Sequence, residues 1–432
     1  MSFNSNRIVK NATWIIGCRA FQAVFNLIVS MIIARFLGPS NFGIINYAES
    51  IATFVLPIMQ LGFSNTLVLE LVTDREKEGE ILGTVLASCF VSGVICISAV
   101  VIFTEFVNHG EKETILVCLL YSFMLLAHAL EMLMYWFEAH LISQYTSIVS
   151  LIAYVIVSAY KIYLVVTGRS IYWFAISNTL DYMIIAICQI YLYKRLGGSK
   201  LEFSFFRFKK MFNDSKYYII SGLMIAVFSQ TDRIMLKLMV GNDVTGYYSA
   251  AVRCAGLTTF VFSAIISSSS PVIYESFEKS EDAFERNIQN LYSVILYMAF
   301  AQSMIMTLFA KPIILILYGS AYIDAVPALQ IITWYIAFSY MGTIRNRWML
   351  AKGIQHLIWK IDLAGALINV VLNMICIPKF GIIGAATASL VTQMFTNFVL
   401  SWLIKDVRRN NDLIMNGLNP KSAIVLLKDF FD

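Results

Sequence analysis

The sequence predicts an all-α integral membrane protein with about twelve transmembrane helices, arranged as two pseudo-symmetric six-helix lobes around a central cavity. Three observations lead to this fold class. Of 432 residues, 59% are hydrophobic and only 14% are charged, and the mean hydropathy is +0.72. A soluble chain carries about 25% charged residues. Long apolar segments recur along the whole chain, and the first hairpin of each half contains the same pair of glycines.

Twelve apolar segments are long enough to cross a bilayer, because roughly 20 apolar residues span it as a helix. They cover about residues 12–36, 42–64, 81–104, 114–137, 145–167, 171–193, 217–240, 247–273, 289–317, 326–350, 356–378 and 381–404. Lys and Arg residues are concentrated in the N-terminal segment, the even-numbered connections and the C-terminal tail. Since cytoplasmic connections carry the excess of basic residues, we expect a multi-pass protein with both termini in the cytoplasm.

The chain divides into two halves that are related by a constant shift. Gly38 and Gly43 follow the first span, and Gly241 and Gly246 follow the seventh. Six spans per half make such repeats parallel. We therefore expect an N-terminal lobe over 1–193, a basic amphipathic cytoplasmic linker over 194–216, a C-terminal lobe over 217–404 and a basic cytoplasmic tail over 405–432. The linker interleaves Phe with Lys and Arg, which is typical of a segment resting on anionic lipid, although a plain charged connection remains the alternative.

Polar side chains recur at helical spacing inside seven of the spans. Arg19 lies midway along the first span, in register with Gln22, Asn26 and Ser30. An ionisable group at bilayer depth is costly, so we expect this stripe to face a wet cavity. For any single polar residue, a hydrogen bond between helices is the alternative.

Several function classes are disfavoured by what the sequence lacks. The connections are too short to hold a catalytic domain, and no phosphate-binding Gly-Lys-Ser/Thr motif occurs. The seven cysteines show no metal-binding spacing. We therefore expect a transport protein rather than an enzyme, with no cofactor and no nucleic-acid partner.

Three segments resemble the signature of bacterial polysaccharide repeat-unit flippases of the O-antigen and capsule type. They read ARFLGPSNFG at 34–43, QTDRIML at 230–236 and KPIILILYG at 311–319. This family belongs to the multidrug/oligosaccharidyl-lipid/polysaccharide exporter superfamily, and the resemblance covers nearly the whole chain. It implies alternating access in the bacterial inner membrane. The implied cargo is an undecaprenyl-diphosphate-linked oligosaccharide repeat unit, moved from the cytoplasmic to the outer leaflet. Implied partners are this cargo, membrane lipids, a polysaccharide polymerase and a chain-length regulator.

With that cargo, arginines inside the spans become candidates for binding the diphosphate. A guanidinium is always charged and can bond two oxygens at once, which suits Arg19, Arg233 and Arg253. We expect amide, aromatic and acidic side chains of the same stripes to complete the substrate-binding set, namely Gln22, Asn26, Asn46, Glu49, Glu131 and Tyr135. Glu49 is also a candidate resting partner for Arg19, for which the diphosphate would then compete.

A cation site is implied by the resemblance to the related peptidoglycan-precursor flippases, which place sodium among helices 7, 11 and 12. The corresponding residues here are Asp232, Asn369, Asn373, Ala385 through its carbonyl, and Ser389. One carboxylate with several neutral oxygens suits a hard monovalent cation. This chain has Asn373 where a second acid is expected, so proton coupling through Asp232, Glu131 or Asp362 is the alternative to sodium.

Two other functions are alternatives to the flippase. A multidrug or organic-cation antiporter of the same superfamily would use Glu49, Asp181 and Asp232 as binding charges and would leave Arg19 unexplained. A membrane glycosyl polymerase would need a sizeable external loop with catalytic groups, and the predicted external connections are short.

Overall fold

The computed structural model describes residues 5–418, with the side chains of residue 22 and residues 25–418. Within this described part the chain forms helices and no strand. The α-helices are α1 (Ser5–Met59), α2 (Leu67–Thr73), α3 (Glu78–Val107), α4 (Lys112–Ser122), α5 (Met124–Glu131), α6 (Met134–Ala139), α7 (Ser143–Val166), α8 (Ile171–Arg195), α9 (Phe205–Met239), α10 (Asn242–Ala255), α11 (Thr259–Lys279), α12 (Glu281–Leu308), α13 (Ala310–Leu317), α14 (Val326–Ala351), α15 (Ile358–Met394), α16 (Leu400–Leu403) and α17 (Arg408–Gly417).

Ten segments of the described chain are long and apolar enough to cross a membrane. Two of them contain two predicted spans each. The backbone leaves helical geometry at Gly38 within α1, where φ is 71°, and at Gly381 within α15, where φ is 53°. Each of these two helices therefore consists of two helices that meet at a glycine. Counting both parts of each agrees with about twelve helices, and the all-α membrane fold is confirmed.

The ninth span differs from its predicted range of 289–317. Its helix begins at Glu281 and ends at Leu308, and a separate helix covers Ala310–Leu317. Ser280 caps the start, because its Oγ accepts a hydrogen bond from the backbone N–H of Ala283 at 3.2 Å. The first turns of this helix are polar, so they were not counted in the apolar segment. The predicted span therefore starts too late.

The paired glycines of the two halves adopt equivalent local structures. Gly38 and Gly241 both have positive φ, at 71° and 131°, whereas Gly43 and Gly246 are buried inside the helices that follow. Positive φ is strained for residues with a Cβ, so the turn itself requires glycine. Each connection predicted to face outward contains such a residue or is directly followed by one, namely Gly38, Gly110, Gly168, Gly241, Gly319 and Gly381.

The chain forms two compact units, Met1–Leu238 (the first unit) and Met239–Asp432 (the second unit). Helix α9 therefore packs with the first unit. Ser215 Oγ donates to the carbonyl of Leu61 at 3.0 Å, and a Cβ added to Gly222 would lie within 3.0 Å of Pro57. The lobe boundaries expected from the repeat, at 193 and 217, stay a prediction; the compact units divide at the end of α9 instead.

The connection between α8 and α9 is docked on the start of α3. The backbone N–H of Glu202 donates to the carbonyl of Gly79 at 3.2 Å, and that of Ser204 donates to Thr84 Oγ1 at 3.0 Å. A Cβ added to Gly83 would lie within 3.0 Å of the Glu202 backbone. The second part of the predicted linker is helical and continuous with α9.

Arg207 gives the linker a second attachment to the first unit. Its side chain is 8% exposed, and its Nη2 lies 2.7 Å from Asp74 Oδ2. Glu70 and Glu80 lie 3.6 and 3.7 Å from other guanidinium nitrogens. This basic residue of the linker thus faces protein carboxylates. The aromatic residues divide, with Phe208 and Phe212 packed against the core and Phe203, Phe205 and Phe206 exposed.

The described part of the predicted tail forms α17, which packs on α12 in the second unit. Tyr292 donates its hydroxyl proton to Asn410 Oδ1 at 3.0 Å, and Ser293 Oγ donates to the carbonyl of Gly417 at 2.7 Å. Arg409 forms a two-pronged ion pair with Glu285 at 2.6 and 2.9 Å. This pair raises the pKa of Arg409. The first part of the tail is therefore an integral element of the second unit.

Candidate functional site

The polar stripe of the first span lies along α1. Arg19 falls within this helix, and its side chain lies outside the part of the chain whose side chains are described. Of its partners on the stripe, Gln22 is half-buried, Asn26 is exposed and Ser30 is buried. The role of Arg19 as an anchor therefore stays a prediction.

Helices α5, α7 and α8 place a group of titratable side chains inside the first unit. This His128 cluster consists of His128, Glu131, Lys161, Asp181 and Tyr182. His128 Nδ1 lies 2.8 Å from Glu131 Oε2, and the two side chains are 14% and 17% exposed. The rings of His128 and Tyr182 stack with centroids 3.8 Å apart. The histidine therefore connects α5 to α8.

The remaining members of the His128 cluster lie on the neighbouring helices. Lys161 Nζ donates to Asn178 Oδ1 at 2.9 Å, which joins α7 to α8. Among the residues whose side chains are described, Lys161, Glu131 and His128 act electrostatically on Asp181. Acidic and basic groups from three spans therefore interact within one membrane-embedded region.

Of the residues predicted to bind substrate, Glu131 belongs to this cluster, and Glu49 lies near enough for its charge to act on Tyr182. The carboxylates of both act on Tyr182, and Glu49 reaches it from α1. Tyr182 is a member of this cluster that the sequence pattern did not indicate. The spacing of three between His128 and Glu131 was a readable signal, because residues three apart are neighbours on a helix. The approach of Tyr182 depends on how α5 packs against α8.

Asn46 and Tyr135 occupy different environments from one another. Asn46 is fully buried, and its Nδ2 donates to the carbonyl of Phe42 at 2.7 Å within α1. Tyr135 is half-buried, and the Glu138 and Glu131 carboxylates both act on it. Tyr135 thus packs against a hydrophobic core of the first unit, while Asn46 donates to the backbone of its own helix. Their roles in sugar binding stay predictions.

Asp232 and Arg233 are adjacent on α9 and have different surroundings. Successive residues of a helix point about 100° apart. Asp232 is 6% exposed, whereas Arg233 is half-buried and its Nη1 donates to Gln230 Oε1 at 3.1 Å. Arg233 therefore has a neutral amide among its partners.

The far end of α9 is held by an ion pair. Lys237 Nζ lies 2.6 Å from Glu111 Oε2 and 5.8 Å from the centre of the Tyr47 ring, while Tyr47 donates to Asn108 Oδ1 at 2.8 Å. Burial acts to raise the pKa of Glu111, but hydrogen bonds from Lys237 and Thr114 and the Lys237 charge outweigh it, so the pKa is lowered. Lys237 thus has a clear structural partner.

The predicted cation-coupling residues are distributed over both units. Asp232 belongs to the first unit and the other four to the second. Asn373 Nδ2 donates to Asn369 Oδ1 at 3.1 Å, and both side chains are buried. Ala385 and Ser389 are also buried, in the second part of α15. The structure thus joins the two asparagines directly, and the complete site stays a prediction.

Two arginines of the second unit differ in burial. Arg253 is half-buried, and its charge acts on Tyr318. Arg345, which the sequence did not single out, is 1% exposed, and its Nη1 donates to the carbonyl of Thr396 at 3.1 Å. That carbonyl lies in a π-helical turn, Phe395–Val399, and Asp362 is the carboxylate that acts on Arg345. Arg345 therefore donates a hydrogen bond to a backbone carbonyl where the last span departs from α-helical geometry.

Comparison with known proteins places this architecture in context. Residues 8–277 match the family described as polysaccharide biosynthesis protein. The chain is 26% identical over 276 residues to an uncharacterized membrane protein of Methanocaldococcus jannaschii, a match covering 60% of this chain and about half, 54%, of that relative. It is 20% identical over 419 residues to a protein of Shigella flexneri named putative O-antigen transporter, covering 92% of this chain and 97% of that relative.

Solved structures of transporters share the fold. An inward-facing multidrug resistance MATE family transporter of the MOP superfamily has a TM-score of 0.69 at 13% identity, covering 91% of this chain and 95% of its own. The lipid II flippase MurJ in an inward closed conformation has a TM-score of 0.67 at 15% identity, covering 96% of this chain and 98% of its own. Since the family match extends over more than half of its length, the chain belongs to the polysaccharide biosynthesis protein family.

Proposed function

We propose that this protein is a flippase that translocates an undecaprenyl-diphosphate-linked oligosaccharide repeat unit from the cytoplasmic to the outer leaflet. The proposal rests on the family, on the O-antigen transporter name of the Shigella relative, and on one observation of the structure. Ionisable side chains occur inside the spans of a helical membrane protein, where they are rare unless functional. These side chains include Glu49, Glu131, Lys161, Asp181, Asp232, Arg233 and Arg253.

In this proposal the arginines bind the diphosphate while the prenyl chain stays in lipid. Arg233 is half-buried and donates to the neutral Gln230 amide, and a phosphate oxygen is the stronger acceptor because the hydrogen bond to it is assisted by charge on both sides. Arg253 would act in the same way from the second unit. Arg19, on the stripe of the first span, is the candidate that the sequence places first. Amide and aromatic side chains such as Gln22 and Tyr135 would bind the sugars.

Alternating access is proposed to be coupled to a cation. The buried amides of Asn369 and Asn373 provide neutral oxygens suited to sodium, together with Ser389, the Ala385 carbonyl and Asp232. A proton is the other candidate ion. We further propose that the protein resides in a bacterial inner membrane with both termini in the cytoplasm, and that it works beside a polysaccharide polymerase and a chain-length regulator.

A transport assay tests this function. The purified protein is reconstituted in liposomes with a fluorescent undecaprenyl-diphosphate-linked oligosaccharide, and arrival at the opposite leaflet is measured by quenching. We expect Arg233→Ala to slow transport about tenfold or more, since a charge-assisted hydrogen bond contributes roughly 1.5–3 kcal/mol. Arg233→Lys should restore only part of the rate, because an ammonium lacks the two-pronged geometry.

The control for this assay is Arg169→Ala, which removes an exposed arginine from the connection between α7 and α8. It should transport at the wild-type rate. Absence of wild-type transport would reject the flippase function. Equal rates for Arg233→Ala and Arg169→Ala would reject the diphosphate role of Arg233.

A multidrug antiporter is the second candidate, favoured by the likeness of the fold to a MATE transporter. In that case Glu49 and Asp181 would bind an organic cation. Efflux of a cationic dye from the same liposomes separates the two functions, because a flippase for a lipid-linked sugar should leave the dye inside. We propose that the protein has no enzymatic activity. Formation of a polymerised product from the lipid-linked units in these liposomes would contradict this proposal.

A further inference from the structure

The last membrane span departs from α-helical geometry over one turn, Phe395–Val399. At the end of this turn the backbone N–H of Leu400 donates to the carbonyl of Phe395, five residues earlier. In an α-helix the same N–H would donate to the carbonyl four residues earlier, which is that of Thr396. The π-helical turn therefore takes the usual donor away from the Thr396 carbonyl, in a part of the chain where lipid offers no replacement.

Two neighbouring helices donate hydrogen bonds to the carbonyls of this turn. From α14, Arg345 Nη1 donates to the Thr396 carbonyl at 3.1 Å. From α17, Asn411 Nδ2 donates to the Phe398 carbonyl at 2.7 Å. Arg345 and Asn411 are 1% and 0% exposed, so both bonds form away from solvent. Side chains that are distant in sequence thus hold the turn from two helices.

Helix α17 is anchored independently of this turn. Tyr292 and Ser293 of α12 donate to Asn410 Oδ1 and to the carbonyl of Gly417, which lie near its two ends. These bonds do not involve the last span. Helix α17 is therefore a fixed support, and Asn411 connects this support to the π-helical turn.

The π-helical turn is also incompletely bonded. Thr396 Oγ1 and Asn411 Oδ1 are buried, and neither has a hydrogen-bond partner among the residues that the structure describes. Buried polar atoms without partners are unfavourable, and helices bend at π-helical turns. Only Leu400–Leu403 follow the turn in the span, and the connection 404–407 joins them to α17. A bend at the turn would therefore move this short end of the span.

We infer that the π-helical turn is a hinge in the last span and that Asn411 of α17 clamps it. While Asn411 donates to Phe398, the end of the span, Leu400–Leu403, has one position. When this bond breaks, the end of the span bends about the turn, and Arg345 keeps its bond to the turn. The tail helix α17 thus restrains a movement within the second unit. That this movement is a step of transport rests on the proposed function, whereas the hinge does not.

Spin-label distances test the hinge without any cargo. In a cysteine-free background, nitroxides at Leu403→Cys and Leu308→Cys report the distance between the end of the last span and the far end of α12, and both positions are exposed. Asn411→Leu keeps a side chain of similar size that cannot donate, and it should make the distance distribution about twice as wide. Met415→Ala, at an exposed position of α17, is the matched control and should leave the distribution unchanged.

Asn411→Ala replaces Asn411→Leu if the leucine prevents folding. A distribution that is as narrow in the Asn411 variant as in Met415→Ala would overturn the inference.

Amide hydrogen exchange separates a hinge from general loosening of the second unit. In Asn411→Leu, exchange over residues 395–403 should accelerate by about fivefold or more, while exchange over α14 should stay unchanged, because a local opening exposes only the amides that it moves. Equal acceleration over both segments would mean that the substitution destabilises the whole unit, and it would overturn the clamp.

Transport in liposomes tests whether the movement matters for function. Asn411→Leu should transport about threefold more slowly than wild type and Met415→Ala, because the end of the span no longer returns to one position. Equal rates together with a widened distance distribution would reject the role in transport and support the hinge. A wild type that moves no cargo would reject the proposed function, and the distance measurement would still decide the hinge.

Discussion

At the scale of single residues, several charges of the first unit pair with residues distant in sequence. Arg207 interacts with Glu70, Asp74 and Glu80, and Lys237 pairs with Glu111 across 126 positions. Buried pairs of this kind contribute little net stability, yet removing one partner is costly because the other charge stays buried. The effect of a substitution on stability therefore depends on whether it leaves the partner's charge buried and unpaired.

Arg207→Ala should destabilise the protein by about 3 kcal/mol, because it leaves three neighbouring carboxylates without their shared cation. Thermal unfolding in detergent measures this effect. Lys210→Ala is the matched control: Lys210 is 53% exposed and pairs with Glu70 at 3.5 Å, so its loss should cost less than about 1 kcal/mol. Equal effects of the two substitutions would contradict the clustered role of Arg207.

The Glu111–Lys237 pair should make stability depend on pH in the acidic range. Because the pKa of folded Glu111 is lowered from 4.5, its contribution is fully present above that value and is lost as the pH falls through the lowered pKa. The melting temperature of wild type minus that of Glu111→Gln should therefore be constant near neutrality and shrink below about pH 4.5. For the exposed control Glu105→Gln, the difference in melting temperature from wild type should not shrink on acidification. If the difference between wild type and Glu111→Gln widens on acidification instead, the pairing is refuted.

At the scale of elements, close contacts between glycines and backbone determine where segments pack. The connection from α8 to α9 lies against α3 because Gly79 and Gly83 carry no Cβ. Composition alone suggested a lipid-facing segment for this linker. Its aromatic residues in fact divide between core and surface. Which of them are buried depends on how the first turns of α9 are oriented against the first unit.

Gly83→Ala should loosen this connection, since the added methyl group would clash with the Glu202 backbone and cost about 1–3 kcal/mol. Limited trypsin digestion should then cleave faster at Lys200, whose side chain is 88% exposed. Gly256→Ala is the control, with φ at −75° and its nearest neighbouring atom at 3.7 Å. Unchanged cleavage in Gly83→Ala would mean that the docking is not maintained in solution.

At the scale of the whole molecule, the basic residues predict which side of the membrane each connection faces. In a cysteine-free background, Glu113→Cys and Lys200→Cys introduce exposed thiols in connections of opposite predicted side. A membrane-impermeant maleimide should label Glu113→Cys in intact cells and Lys200→Cys only after permeabilisation. The reverse pattern would invert the proposed orientation of the termini.

The number and approximate position of the spans were readable from the sequence, because membrane insertion depends on the apolar composition of contiguous residues. The turns were readable too, since Gly38 and Gly241 have backbone angles that other residues adopt only with strain. The start of α12 was misplaced because its first turns are polar. Spans and turns depend on residues that are neighbours in the chain, so the sequence alone indicates them.

Tertiary structure decided which charges meet. The stripe containing His128 and Glu131 was visible in the sequence, whereas the stacking of Tyr182 on His128 and the unsatisfied oxygen of Asp181 depend on the packing of α5 against α8. Packing likewise placed α9 with the first unit, although the repeat predicted from the sequence begins a new half at that helix. Helix–helix contacts depend on the shapes of two surfaces far apart in the chain, and for this reason the pattern of one helix alone does not reveal its partners.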